Sequence, residues 1–204
     1  KMVKMTEAVV NAVKLPVTIK TRLGYDDEHR DIVEIAERVQ DVGIKAITIH
    51  GRTRTQRPRV PADWTLIGEV KNNPRMHIPV FGNGDVVDPV SAKYFKDTYG
   101  VDGLMVARAV YGNPWIFKEI KHYLETGELI PPPQIQERIR IAKIQLRKSC
   151  DWKGEKRGVT ELRKHWADYF KGYTHFKPFR QKMMKLETLS EVNQLLREIE
   201  EFYI

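Results

Sequence analysis

The chain has 204 residues, of which 41% are hydrophobic and 30% charged, the balance of an ordinary globular protein. No apolar run approaches the roughly 18–20 residues that a membrane span needs, and the first residues do not resemble a secretory signal. The one cysteine, Cys150, excludes an internal disulfide and a cysteine-rich zinc site, and it fits a reducing cytoplasm. Because the six histidines are scattered, we expect no bound metal.

The net charge of +8 is concentrated in one part of the chain. Between Arg138 and Lys185 there are 15 lysines and arginines against four acidic residues, a balance of +11, so the remainder sums to −3. A basic segment of this kind is typical of a surface that contacts a polyanion. It predicts a nucleic acid as the partner.

The first part of the chain alternates helical and strand patterns. An opening helix is predicted by the spacing of Met2, Met5, Val9 and Val13. Short β-branched runs predict strands at residues 17–20, 46–50, 78–81 and 103–106.

Helices are predicted between these strands. The first spans about 28–41, the second is capped by Asp63, and the third begins at Asp88-Pro89. Strands alternating with helices predict an α/β fold with a parallel sheet. Four such units cannot close an eight-stranded barrel, which leaves a small open sheet or one half of a barrel.

After Pro131-Pro132-Pro133 the pattern becomes helical only. Apolar residues line one face of each of two long helices, namely Ile135, Ile139, Ala142 and Leu146 on the first and Val159, Leu162, Trp166 and Phe170 on the second. Thr188 with Glu191 forms a capping box that predicts the start of a last helix. We therefore expect a small helical bundle after a proline linker.

Polar residues follow each predicted strand, where parallel α/β folds hold the groups that act. They are Lys20, Arg22, His50, Arg52, Asn83, Gly84, Asp85 and Arg108. We expect the side chains of Lys20, His50, Asn83 and Arg108 to share one rim of the sheet. Gly-x-Gly-x-x-Gly is absent, so no dinucleotide fingerprint is predicted. The loops at Gly84-Asp85 and Ala107-Arg108 instead predict a phosphate site built from backbone N–H groups.

Most of the chain resembles the tRNA dihydrouridine synthases. The matching blocks, in order and at family spacing, are residues 17–24 (VTIKTRLG), 49–54 (IHGRTR), 62–64 (ADW), 83–85 (NGD), 102–108 (DGLMVAR) and 112–117 (GNPWIF). Residues 161–165 (ELRKH) and 171–172 (KG) are similar to the helical domain of the bacterial B-type branch.

This resemblance implies the C-terminal half of an FMN-binding (β/α)8 barrel over residues 1–130, with strands five to eight, and a helical tRNA-binding domain over 131–204. The cofactor-binding residues that it implies are Lys20, His50, Asn83, Gly84, Asp85, Ala107 and Arg108. In the implied reaction, reduced FMN gives a hydride to C6 of uracil in tRNA and a cysteine protonates C5. NADPH reduces the flavin again.

Cations of the basic segment are the candidates for RNA contact, because they can neutralise phosphates. They are Arg163, Lys164, Lys171, Lys177, Arg180 and Lys182. Aromatic side chains can stack on bases, but Trp166 and Phe170 belong to the apolar stripe and are expected in the core.

The sequence departs from the family pattern in two places. The family's general-acid cysteine lies upstream of the block matched by Lys20, where this chain has none, and Cys150 is interpreted as a plain helix thiol. We therefore expect no catalytic residue in the chain and no activity from it alone. Before Ala-Asp-Trp the family has a Tyr-x-Gly-like turn, whereas residues 57–61 read RPRVP, with two added arginines that could face RNA.

Two rival functions stay open at this point. One is another FMN barrel oxidoreductase that acts on a small molecule, and the other is a non-catalytic RNA-binding module. A half barrel would also leave two open sheet edges, so self-association through those edges is a further expectation.

Overall fold

The computed structural model describes all of residues 1–204, which form two compact units. The βα unit comprises residues 1–109 and 118–129, and the helical unit comprises residues 110–117 and 130–204.

In chain order, the elements up to residue 126 are α1 (Met2–Ala12), β1 (Thr18–Arg22), α2 (Ile32–Asp41), β2 (Ala46–His50), α3 (Thr65–Asn72), β3 (Val80–Asn83), α4 (Pro89–Tyr99), β4 (Gly103–Met105), a 3₁₀ turn (Arg108–Val110) and α5 (Ile116–Thr126). The strands pair in parallel in the order β1-β2-β3-β4. The predicted α/β class with a parallel sheet is confirmed.

Strand register determines which side chains share a face of this sheet. Because side chains alternate along a strand, Ile47, Ile49 and Val80 lie on one face, where all three are fully buried. The opposite face carries two rows of residues in register. One row is Lys20, Thr48 and Phe81, and the other is Arg22, His50 and Asn83. The polar residues therefore cluster on a single face.

Several predicted boundaries were wrong by a few residues. Strand β3, predicted at 78–81, spans Val80–Asn83, so Asn83 is its last residue and does not follow it. Strand β1 continues to Arg22, so Lys20 lies inside the strand and not after it. Helix α2 starts only at Ile32, because the Asp26 carboxylate accepts the N–H groups of Glu28 and His29 and holds a turn there.

A further correction concerns Asp63. Trp64 takes the N-cap position of α3, one residue later than predicted, although the Asp63 carboxylate accepts the Thr65 N–H at 2.9 Å.

The helical unit contains α6 (Ile135–Lys153), α7 (Glu155–Tyr169), α8 (Lys177–Met183) and α9 (Leu189–Tyr203). The two predicted apolar stripes lie in one shared core, in which Trp166 is fully buried and Phe170 is 2% exposed. The Thr188–Glu191 capping box opens α9 as predicted.

Candidate anion-binding site at the strand ends

Basic side chains dominate the polar face of the sheet at the carboxyl ends of β1 and β2. Arg22 lies opposite His50 in the register, and Lys20 lies one row earlier, opposite Thr48. The Arg22 guanidinium donates to the Thr53 carbonyl at 2.7 Å, so it is fixed beside the chain that leaves β2. Burial and the neighbouring Arg22 charge lower the pKa of Lys20.

Asp85 organises the loops that follow β2, β3 and β4. Its carboxylate accepts the Arg52 Nη2 at 2.5 and 2.7 Å, the Ala62 backbone N–H at 2.8 Å and the Arg108 Nη2 at 3.2 Å. Partial burial acts to raise the pKa of Asp85, but these hydrogen bonds and the two arginine charges outweigh it, so the pKa is lowered. Asp85 is therefore ionised near neutral pH and joins three loops.

Arg52 is the buried partner in this arrangement. Only 4% of its side chain is exposed, and its Nε donates to the Val60 carbonyl in addition to the Asp85 contact. A buried guanidinium needs such partners, because an unpaired buried charge is costly. Arg52 thus fixes the positions of Asp85 and of residue 60.

Trp64 anchors the turn that presents Asp85. The indole Nε1 donates to the Gly84 carbonyl at 3.0 Å, and the ring stacks on Phe95 at 4.3 Å between centroids. A Cβ at Gly82 would lie inside the Trp64 ring, so only glycine fits there. The geometry of this turn therefore depends on packing from the helix side of the sheet.

The loops after β3 and β4 present backbone donors. The N–H groups of Asp85, Ala107 and Arg108 donate no loop hydrogen bond to a backbone carbonyl. Arg108 adds a guanidinium that is 63% exposed. Free N–H groups beside a cation are the donor set that proteins use to hold phosphate.

His50 is neutral near pH 7, and one of its ring nitrogens has no hydrogen-bond partner. Burial, followed by the charges of Arg22, Lys20 and Arg52, lowers the pKa of His50 to about 4. Its Nδ1 is buried without a hydrogen-bond partner. A neutral imidazole among cations can donate to or accept from a polar ligand without adding charge.

The site residues proposed from sequence differ in what they contact. Asn83 is 2% exposed and donates its amide to the Met105 carbonyl at 2.6 Å, so its amide nitrogen ties β3 to β4. The Asp85 carboxylate is engaged by protein groups, and Lys20, His50 and Arg108 keep polar atoms free for a ligand. Arg52, whose guanidinium connects the loops, lies after β2 as the sequence predicts, but it is not among the predicted cofactor-binding residues. Its pairing with Asp85 spans 33 positions, which local sequence patterns do not reveal.

The cations proposed for RNA contact lie in the helical unit. Arg163 donates to the Leu186 carbonyl at 2.8 Å, and Lys182 lies 3.4 Å from Glu198. The other four, which form no ion pair and are exposed, are Lys164, Lys171, Lys177 and Arg180.

Cys150 lies on α6 and is buried in the core of the helical unit. Its Sγ contacts the Glu155 carbonyl at 3.7 Å, and burial raises the pKa of the thiol.

Neither a membrane-crossing helix nor a metal cluster was found. No helix combines the length and apolarity needed to span a bilayer. No group of three or more histidine, cysteine, aspartate or glutamate residues is arranged to hold a metal ion.

The protein is of the α/β class, with a four-stranded parallel sheet whose polar residues gather at the carboxyl ends of the strands. The family model described as dihydrouridine synthase (Dus) matches residues 1–203, and the chain belongs to this family. The tRNA-dihydrouridine synthase B of Proteus vulgaris is 43% identical over 188 residues, covering 92% of this chain and 58% of that protein. The corresponding protein of Escherichia coli (strain K12) is 43% identical over 183 residues, covering 90% and 56%. The predicted resemblance to the bacterial B-type branch is confirmed.

The chain spans a little over half the length of these relatives. Among solved structures, a mandelate oxidase with (S)-2-phenylpropionate is 14% identical, with a TM-score of 0.33, covering 98% of this chain and 66% of that one. A likeness at that TM-score supports no conclusion about fold or chemistry.

Proposed function

We propose that the complete protein is an FMN-dependent tRNA dihydrouridine synthase, which reduces the C5=C6 bond of uridine in tRNA with NADPH as reductant, in the cytoplasm. The family match over residues 1–203 supports the reaction class. The names of the relatives support tRNA as the substrate. A small-molecule FMN oxidoreductase fits less well, because it leaves the basic segment between Arg138 and Lys185 without a role.

The donor set at the strand ends suits an anionic cofactor that carries a polar ring. The N–H groups of Asp85, Ala107 and Arg108, with Gly84 in the same turn, suit a phosphate, and this is the observation that carries the assignment. Lys20 and the unpartnered His50 Nδ1 lie on the polar face of the sheet, where a ring could be held. The residues present therefore fit FMN, which when bound supplies hydride transfer.

Each residue of the site then has a distinct task. Arg108 and the backbone N–H groups would hold the phosphate, and Lys20 would face the polar edge of the ring. Asp85 would contribute through its N–H, while its carboxylate keeps Arg52 and Arg108 in position. Asn83 would act through the β3–β4 connection that its amide makes.

Phosphate contacts with tRNA are assigned to the helical unit. Lys164, Lys171, Lys177 and Arg180 are its exposed cations without an acidic partner, whereas Arg163 and Lys182 would have to exchange existing contacts. Contacts of this kind position an RNA and add affinity that falls with salt, but they do not read sequence.

We further propose that residues 1–130 are strands five to eight of a (β/α)8 barrel and that 131–204 form the tRNA-binding domain. On this proposal the general acid lies outside residues 1–204, because Cys150 is buried and its thiol contacts a carbonyl of its own unit. The chain alone would self-associate through the free edges of β1 and β4, which light scattering can detect.

Product analysis of the complete protein tests the proposal. With FMN, NADPH and unmodified tRNA, nucleoside mass spectrometry should find dihydrouridine, and omission of NADPH should abolish it. Lys164→Glu and Lys171→Glu should each weaken tRNA binding several-fold and lower the slope of log K against log salt by about 0.7–0.9 for each lost phosphate contact. Arg197→Glu is the matched control, because Arg197 is also exposed but lies outside the basic segment. A protein that binds tRNA but forms no dihydrouridine would favour the non-catalytic RNA-binding alternative.

A further inference from the structure

Three exposed arginines lie within a six-residue stretch of the loop that follows β2. They are Arg54, Arg57 and Arg59, and residues 54–59 are called here the arginine loop. None of the three forms an ion pair within the chain. The nearby acids have other partners, since Asp27 contacts Arg30 and Asp26 contacts His29. The loop therefore presents three uncompensated positive charges.

The backbone of the arginine loop is held in place on both sides. The N–H groups of Arg54 and Thr55 donate to the carbonyls of Gly24 and Tyr25 at 2.9 and 3.0 Å. The Gln56 amide reaches Asp27 at 2.8 Å. A loop fixed in this way presents its charges without the full entropic cost of ordering a flexible segment.

The far end of the loop is connected to the strand-end site. Val60 donates its N–H to the Arg57 carbonyl at 3.1 Å, and its own carbonyl accepts the buried Arg52 guanidinium, which also binds Asp85. Arg52 thus faces inward while its three neighbours face solvent. The same buried ion pair that organises the site also fixes the loop.

An open cleft extends from Arg54, the first residue of the arginine loop, to the polar face of the sheet. It has a volume of about 820 Å³, and its lining includes Arg54, Tyr25, Lys20 and Arg22. A ligand in the strand-end site that extends toward β1 would meet the loop along this cleft.

We propose that the arginine loop binds the phosphodiester backbone of the RNA substrate next to the nucleotide that enters the strand-end site. This inference rests on the proposed function. The three cations are spread along the chain at intervals of two or three residues. That spacing suits a run of phosphates better than one compact anion. Because phosphate contacts carry no base identity, the loop would fix the position of the RNA without choosing its sequence.

The test uses Arg57→Gln/Arg59→Gln in the complete, flavin-loaded protein. Both side chains are exposed, and neither belongs to the strand-end donor set. We expect the affinity for unmodified tRNA to fall about tenfold at near-physiological salt, and the salt slope to drop by about 1.4–1.8, as the loss of two phosphate contacts requires. Arg57→Lys/Arg59→Lys should keep most of the affinity, because charge alone suffices at a phosphate.

A charge-matched control comes from the opposite end of the strands. Lys14→Gln/Lys45→Gln removes two exposed lysines that precede β1 and β2, and it should leave both affinity and slope unchanged. An equal loss in this control would show non-specific attraction and overturn the inference. Thermal melting of all variants reports whether any of them is misfolded.

A second measurement distinguishes RNA from NADPH as the ligand of the arginine loop, because NADPH also carries phosphates. The rate of flavin reduction by NADPH, followed by absorbance without tRNA, should be the same in the Gln variant and in the parent protein. Slower flavin reduction in the Gln variant, with unchanged affinity for tRNA, would show that the loop binds NADPH and would contradict the proposal. If the parent protein itself neither binds nor reduces tRNA, the proposed function fails. If the parent does both and the Gln variant matches it, only the loop assignment fails.

Discussion

Asp85 combines an uncommon backbone conformation with an unusually full set of partners. Its φ is +54°, in the left-handed region that non-glycine residues rarely adopt. Holding such a residue costs of the order of 1 kcal/mol, and the contacts with Arg52, Ala62 and Arg108 offset that cost. The geometry of the candidate site therefore depends on the Arg52–Asp85 pair.

Asp85→Asn should destabilise the fold. Asparagine tolerates the left-handed conformation, so the substitution removes the charge and leaves Arg52 buried without a counter-charge. We expect the free energy of unfolding to fall by about 3 kcal/mol, measured by urea denaturation. Asp97→Asn is the control, because Asp97 forms an exposed pair with Lys93, and its loss should cost below about 0.5 kcal/mol.

The effect of Asp85→Asn should also depend on pH. The pKa of Asp85 is lowered in the folded state, so its contribution is present above the unfolded pKa, which is near 3.9 for an aspartate, and is lost as the pH falls through the folded value. The difference between parent and variant should therefore shrink below about pH 4. A difference that stays constant down to pH 2 would contradict the role of the ionised carboxylate.

His50 should likewise lower the stability of the fold as the pH falls, but at mildly acidic pH. Its folded pKa is about 4, whereas an unfolded histidine titrates near 6.5. Between these values the unfolded chain takes up a proton that the folded chain does not, so the free energy of unfolding falls as the pH drops, by at most about 3 kcal/mol. NMR titration of the imidazole should give a midpoint near pH 4 that is absent in His50→Gln.

His29 provides an internal comparison for this titration. Its hydrogen bond to Asp26 raises the pKa of His29, so its midpoint should lie above that of a free histidine. A His50 midpoint near that of His29 would show that the cations around His50 do not act as described.

At the scale of single elements, capping and close packing determine where structure begins. The start of α4 at Asp88-Pro89 and the start of α9 at Thr188 were predictable, because each capping box is local in sequence. The start of α2 was not, since an Asp26 turn replaced its first predicted residues. Short-range hydrogen-bonding side chains compete with helix formation in ways that apolar spacing does not reveal.

In the candidate site, too, local features could be predicted from the sequence and long-range contacts could not. The residue types at the strand ends could be predicted, because parallel strands bring their carboxyl ends to one edge. The sequence could not predict which of these residues face a ligand. Asp85 and Asn83 hydrogen-bond to protein groups that lie more than 20 positions away in the chain. Arg52 went unassigned for the same reason.

Thr188→Ala tests the capping box of α9. The Thr188 hydroxyl accepts the Glu191 N–H, and the Glu191 carboxylate accepts the Thr188 N–H at 3.0 Å. Removing the hydroxyl should lower the free energy of unfolding of the helical unit by about 1 kcal/mol in urea. Ser190→Ala, at an exposed position in the same turn, should change it by less than half as much. Equal effects would show that the cap is not the cause.

At the scale of the whole molecule, charge and chemistry are divided between the two units. The βα unit carries the strand-end donor set and the arginine loop, and the helical unit carries the basic segment and the one cysteine. Each unit has its own buried residues, with Trp64 fully buried in the first and Trp166 in the second. On the proposed function, substitution of the exposed cations of the helical unit should weaken RNA binding and leave the strand-end donor set intact.

The last prediction concerns residues 1–204 on their own. The phosphate donors of Gly84, Asp85, Ala107 and Arg108 are present, so the isolated chain should retain weak affinity for FMN, measurable by quenching of flavin fluorescence. It should not reduce tRNA, because its only thiol is buried in the helical unit, and loss of a general acid typically costs about 10²–10⁴-fold in rate. Purified chain of verified mass, mixed with FMN, NADPH and unmodified tRNA, should yield no dihydrouridine above the level seen without enzyme. Arg108→Gln should weaken the residual FMN binding, while Lys93→Gln, on the exposed surface of α4, should not. Appreciable product from the verified chain would mean that a group within these residues delivers the proton to C5, and His50 would then be the first candidate to replace.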